Sequence, residues 1–117
     1  MYGLTADVDL SFLVGAELLQ VAAGQNEVIL NFFGDVSIMI AADLRLSRSE
    51  HPGERLSHAP SQATTLIRLL GLSVLQASGA DGTLRLELSD GSTLEVYDSW
   101  PNYESYTITH RAGLIVV

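Results

Sequence analysis

The sequence has no cysteine and no lysine, only three prolines, and eight aromatic residues among 117. Without cysteine there can be no disulfide, no thiolate nucleophile, and no cysteine-ligated zinc or iron–sulfur cluster. Positive charge is scarce, with six arginines against fourteen acidic residues and a net charge of −8. That balance argues against a binder of the nucleic-acid backbone, which needs a clustered basic face. No apolar run approaches the roughly 20 residues of a spanning helix. The segment Met1–Asp7 lacks a basic stretch, and Asp7, Asp9 and Glu17 interrupt the apolar residues that follow. Neither a signal peptide nor a membrane partner is expected, and the cytoplasm is the expected location.

What is present suffices for a core. Apolar residues make up 47% of the chain and charged residues 17%, so a length of 117 reads as a single domain, residues 1–117.

An internal repeat organises the chain. Residues 13–40 align without a gap to residues 69–96, an offset of 56. Leu13/Leu69, Gly15/Gly71, Leu19/Leu75, Gln20/Gln76 and Leu30/Leu86 are identical, and further apolar pairs match. Each copy opens on a helical signal. In the second, Pro60 suits a first helical position, and Ala63, Leu66, Ile67 and Leu70 follow at helical spacing before Gly71. In the first, Asp9 can cap a short turn carrying Leu10, Leu13 and Val14, closed by Gly15. Three strands follow in each: Glu17–Ala22, Glu27–Phe33 and Val36–Ala42, then Ser73–Ser78, Thr83–Leu88 and Thr93–Asp98. Gly34-Asp35 and Asp90-Gly91 read as two-residue hairpin turns of types II′ and I′. A C-terminal hairpin pairs Tyr103–His110 with Leu114–Val117. The expected fold is α+β and mainly antiparallel: two duplicated αβββ units plus that hairpin, with one clear helix near 60–70 and a polar connecting loop at 47–59.

Alternation separates the faces. In the second copy Leu84, Leu86, Leu88, Leu94 and Val96 face inward, while Arg85, Glu87, Thr93 and Glu95 face water. In the first copy the outward positions are also apolar. Ile29, Phe33 and Met39 stand where the second copy has Arg85, Ser89 and Glu95. The helix, the C-terminal hairpin or a second chain must cover that face, the last making a homodimer.

The densest chemistry lies in residues 97–106. Tyr97, Trp100, Tyr103 and Tyr106 supply four of the eight aromatics beside Asp98 and Glu104. Such side chains make contact area for a protein or ligand, or they seal the edge of a core. The two carboxylates also allow an acid–base reading, which needs a defined separation and a raised pKa. His51, His58 and His110 form no helical pair and no HExxH pattern. No G-x-S-x-G elbow and no phosphate loop is present. No cofactor, metal site or catalytic residue is therefore expected.

The segments LLG-x-x-V at Leu69–Val74 and GTLRLELSDGSTLEV at Gly82–Val96, then Tyr103-Glu104-Ser105-Tyr106, carry a resemblance. The chain resembles a family of small uncharacterised bacterial domains that pair a DG-x-x-L-x-V hairpin with a later YE-x-aromatic strand. Tyr106 stands where that family usually has Trp. The resemblance implies no activity. The functional expectation is a non-enzymatic protein-interaction module, of an immunity or accessory type, using Tyr97, Asp98, Trp100, Tyr103, Glu104 and Tyr106. The alternatives are a small-molecule-binding domain built on the same segment, and then a carboxylate-based enzyme.

Overall fold

The structure is a computed structural model that describes residues 8–48, 53, 55–56, 59–98, 105–110 and 113–117. Trp100, Tyr103, Glu104, His51 and His58 lie outside the described residues. A 3₁₀ turn at Ser11–Leu13 leads into β1 (Leu18–Ala23), β2 (Val28–Phe32), β3 (Val36–Ile40), β4 (Leu44–Ser47) and β5 (Arg55–Leu56). A second 3₁₀ turn, Ala59–Gln62, runs into α1 (Ala63–Ile67). Then come β6 (Val74–Ala80), β7 (Thr83–Leu88), β8 (Thr93–Val96), β9 (Tyr106–His110) and β10 (Gly113–Val116). The fold is mainly antiparallel β, in two five-stranded sheets ordered β1-β2-β3-β9-β10 and β6-β7-β8-β4-β5.

Period-two alternation builds the core. Val28, Leu30 and Phe32 of β2, Val36, Ile38 and Ile40 of β3, and the five inward residues expected on β7 and β8 are all buried. They join Leu10, Leu13, Leu66 and Leu69 in one hydrophobic cluster shared by both sheets. Each such side chain taken from water contributes about 1.5–3 kcal/mol before the entropy of ordering is subtracted.

The same hydrogen bonds recur in both halves at the offset of 56. Leu18↔Phe32, Gln20↔Asn31 and Val21↔Leu30 have counterparts in Val74↔Leu88, Gln76↔Glu87 and Ala77↔Leu86. Both registers slip at the same place, so Leu19 and Leu75 are the extra residues of matching β-bulges. The two strand starts meet in an antiparallel bridge, Glu17↔Ser73. Leu18 N–H donates to the Leu72 carbonyl at 2.9 Å, and Val74 N–H to the Ala16 carbonyl at 3.0 Å. Gly15 N–H donates to Val74 and Gly71 N–H to Leu18. Exchanging the halves maps each bond onto its partner, an approximate two-fold relation.

The last strands cross over. β4 pairs with β8, and β9 pairs with β3, so each half completes the other half's sheet. Leu44 and Tyr106 occupy matching places against Val96 and Ile40.

Several expectations need correcting. Residues 47–59 are not all loop, since β5 pairs with β4 there. A two-residue strand has too little alternation to show in sequence. The first copy's helix is only a 3₁₀ turn with Leu10 at its N-cap; Asp9 precedes the cap, and its Oδ1 accepts from Ser11 N–H at 2.9 Å as an Asx turn. The α-helix is five residues long, and its exit tightens into 3₁₀ bonds, Leu69 to Leu66 and Leu70 to Ile67. That tightening turns Leu66 and Leu69 inward and leaves Ile67 and Leu70 exposed, as Val14 is in the first half. The hairpins expected as two-residue turns close around three residues, 33–35 and 89–91, because Phe32 pairs with Val36 and Leu88 N–H bonds Ser92. In the second turn only Gly91 is left-handed (φ 88°) and its N–H bonds the Leu88 carbonyl, as in the three-residue class with a G1 bulge; in the first both Gly34 (φ 96°) and Asp35 (φ 60°) are at positive φ.

Gly15 and Gly71 share φ near +85° (85° and 86°), and a Cβ at either would meet nothing within 4 Å. Alanine there meets only backbone strain. Gly15→Ala and Gly71→Ala should each lower the unfolding free energy in urea by about 1–2 kcal/mol, and by similar amounts. A neutral result at either position would break their equivalence.

Candidate functional site

The segment expected to carry the site divides on inspection. Tyr106 is fully buried, and its O–H donates to the Gly82 carbonyl at 2.7 Å. Asp81 and Gly82, both at positive φ, form the turn between β6 and β7. A Cβ on Gly82 would sit 3.0 Å from the Asp98 Cβ. Asp98 is half-buried, and its Oδ1 accepts from the Ser105 hydroxyl at 3.1 Å. Tyr106, Gly82 and Asp98 thus pin the β6–β7 turn to the start of β9. The Tyr106 ring belongs to the core and offers no surface to a partner. Tyr97 is half-buried, and its N–H donates to the Asp43 carbonyl. Among the described residues no group of three or more His, Cys, Asp or Glu is placed to hold a metal ion. His110 stacks on Phe12, with centroids 3.9 Å apart and planes 11° apart, tying the first turn to β9. The Asp9 carboxyl is held below its ordinary range, chiefly by its bonds from Ser11 and least by His110.

The outer face of the first sheet is neither sealed nor fully open. Ile29 and Met39 sit opposite each other and are half-buried, while Phe33 is 71% exposed. The C-terminal hairpin extends this sheet beside β3, and α1 packs toward β1, so neither lies across the face as cover.

Sequence reasoning missed a second apolar surface, around the Glu17–Ser73 bridge. Leu19 is 51% and Leu75 55% exposed. Gly71 N–H bonds Leu18, bringing Leu70 beside Leu19, and Gly15 N–H bonds Val74, bringing Val14 beside Leu75. Phe33 joins them because its N–H donates to the Glu17 carbonyl at 2.9 Å. The signal was present: Leu19/Leu75 and Gln20/Gln76 are identical pairs. Only the bulges show that these leucines face out.

A family model described as a family of unknown function (DUF6188) matches residues 11–117. The chain belongs to that family. No curated protein and no solved structure matches it. The matched span of DUF6188 covers every strand described above, both halves of the bridge, and the Tyr106–Gly82 contact. No helix among the described residues is long and apolar enough to cross a membrane.

Burial, and after it the Asp98 charge, raises the Tyr106 hydroxyl well above its ordinary pKa of 10.0. As pH rises the unfolded chain therefore loses this proton first, so stability declines above about pH 10. Tyr106→Phe should cost about 1–2 kcal/mol near pH 8, because the Gly82 carbonyl loses its donor. It should also flatten the decline between about pH 8 and 11, read by urea unfolding at both.

Proposed function

We propose that this chain is a non-enzymatic protein-interaction module. Its contact surface is the apolar ground around the Glu17–Ser73 bridge, and its occupant is a second copy of the same chain. One observation carries this reading. Val14, Leu19, Phe33, Leu70 and Leu75 are large apolar side chains left exposed on residues at or next to the backbone bonds of one bridge. Val14/Leu70 and Leu19/Leu75 recur at the offset of 56. Scattered exposed leucines are ordinary; a group around one point calls for a partner.

A surface with its own approximate two-fold suits an isologous contact, in which each patch meets its equivalent. Charge supports the same choice. Two chains of net charge −8 repel generally, and closest approach is easiest where the surface is apolar. The reading takes the chain as an internal duplicate, supported by the shared registers, bulges and exchanged bonds of the two halves.

Sedimentation equilibrium over about 10–200 μM should show a dimer, and the double variant Leu19→Asp/Leu75→Asp should be a monomer. Both leucines are exposed, so the melting temperature of the variant should stay within about 2–4 °C of the parent. A parent chain that stays monomeric throughout that range overturns the reading.

A further inference from the structure

The outer faces of the two sheets differ at matching positions. On the first, Ile29 and Met39 face each other across β2 and β3. On the second, Arg85 faces Glu95 and Glu95 faces Arg45, one cross-strand row over β7, β8 and β4. Arg55 on β5 is next in register. Arg48, just beyond β4, reaches Asp90 in the β7–β8 turn. Half of the arginines of a chain that has only six line one open depression of about 240 Å³: Arg45, Arg48 and Arg85.

These guanidinium groups are under-used. Arg45 Nε lies 3.9 Å from Glu95, Arg48 Nη1 3.6 Å from Asp90, and Arg85 Nη2 3.7 Å from Glu87. All three are too long for hydrogen bonds. Among the described residues none of the three side chains donates one, and the buried Arg45 Nε has an ion-pair neighbour in Glu95 but no hydrogen-bond acceptor. Exposed ion pairs of this length contribute little to folding. Each arginine has an acidic neighbour, and the Glu95 carboxylate lines the depression as well. Each guanidinium carries five donors in a planar fork suited to oxyanions.

We propose that this depression binds a phosphate-monoester dianion. The three guanidinium groups supply the hydrogen bonds, and Glu95 and Asp90 are the acids that Arg45 and Arg48 would turn from to make them. A phosphate monoester offers three terminal oxygens, and three arginines line the depression to meet them. The site is on the other sheet from Ile29 and Met39, and it does not depend on the chain dimerising.

Titration with inorganic phosphate and with phenyl phosphate, at constant ionic strength and followed by two-dimensional NMR, tests this. Saturable shifts centred on β4, β7 and β8 are expected. Arg45→Gln and Arg85→Gln should each weaken binding by about tenfold, and Arg68→Gln, outside the depression, should leave it unchanged. Glu95→Gln should tighten binding by releasing Arg45. Glu27→Gln, the same charge change in the β1–β2 turn, should not. Saturation by phenyl phosphate alone would identify the ester, and saturation by both a phosphoryl group whatever its carrier; either supports the site. Absence of saturation up to about 20 mM, or equal losses in Arg45→Gln and Arg68→Gln, overturns it.

Discussion

The structure turns on the backbone exchange at Glu17 and Ser73. Two strands begin side by side, antiparallel, and each donates to the residue preceding the other's bridge position. This contact sets the two sheets at one relation and makes their inner faces converge. Gly15 and Gly71 are needed because the chain must turn from a 3₁₀ segment into the bridge through a left-handed residue. The bulges at Leu19 and Leu75 come directly after the residues, Leu18 and Val74, that bond both across the bridge and to their own sheet. Leu13 and Leu69, each two residues before one of these glycines, are both buried in the shared core.

The crossing strands lock this arrangement. β4 belongs by chain order to the first half but pairs with β8, and β9 leaves the second half to pair with β3. Neither sheet has five strands without the other half, so their stabilities are coupled. The two crossings are matched in detail: Tyr97 N–H bonds the Asp43 carbonyl, and Ala41 N–H bonds the Ser105 carbonyl. The halves depart from one another mainly outside the core. Where one outer face has Ile29 and Met39, the other has Arg85 and Glu95. Substitution there leaves the inward set untouched, because successive strand residues point to opposite faces. One scaffold thus presents one apolar and one charged face.

Much of the fold was legible in the chain. Alternation located the inward residues of β7 and β8; in β2 and β3 the outward positions are apolar too, so period two alone did not separate their faces. Asp9 reads as the cap in the sequence, yet Leu10 takes that position and Asp9 closes an Asx turn onto Ser11 just before it. Ile67 and Leu70 misled, since helical spacing presumes that the helix continues, and this one tightens after Ile67. β4 and β5 were invisible: Leu44 and Leu46 are too few to form a pattern, and two polar-flanked residues form none. Tyr106 was readable as core or as contact until the Gly82 carbonyl answered its hydroxyl.

Local order in the sequence thus determined which residues of β7 and β8 turn inward and where the chain must reverse. These are properties of neighbours, set by side-chain period and backbone preference. The tertiary structure alone decided which strand ends meet, which sheet β4 and β9 join, and which leucines are left outside. It also decided that Arg45, Arg48 and Arg85, distant in sequence, share one depression. Those outcomes depend on pairing between residues far apart in the chain, and no local period encodes the partner. The scarcity of positive charge was visible from composition, and its concentration on one face only from cross-strand register.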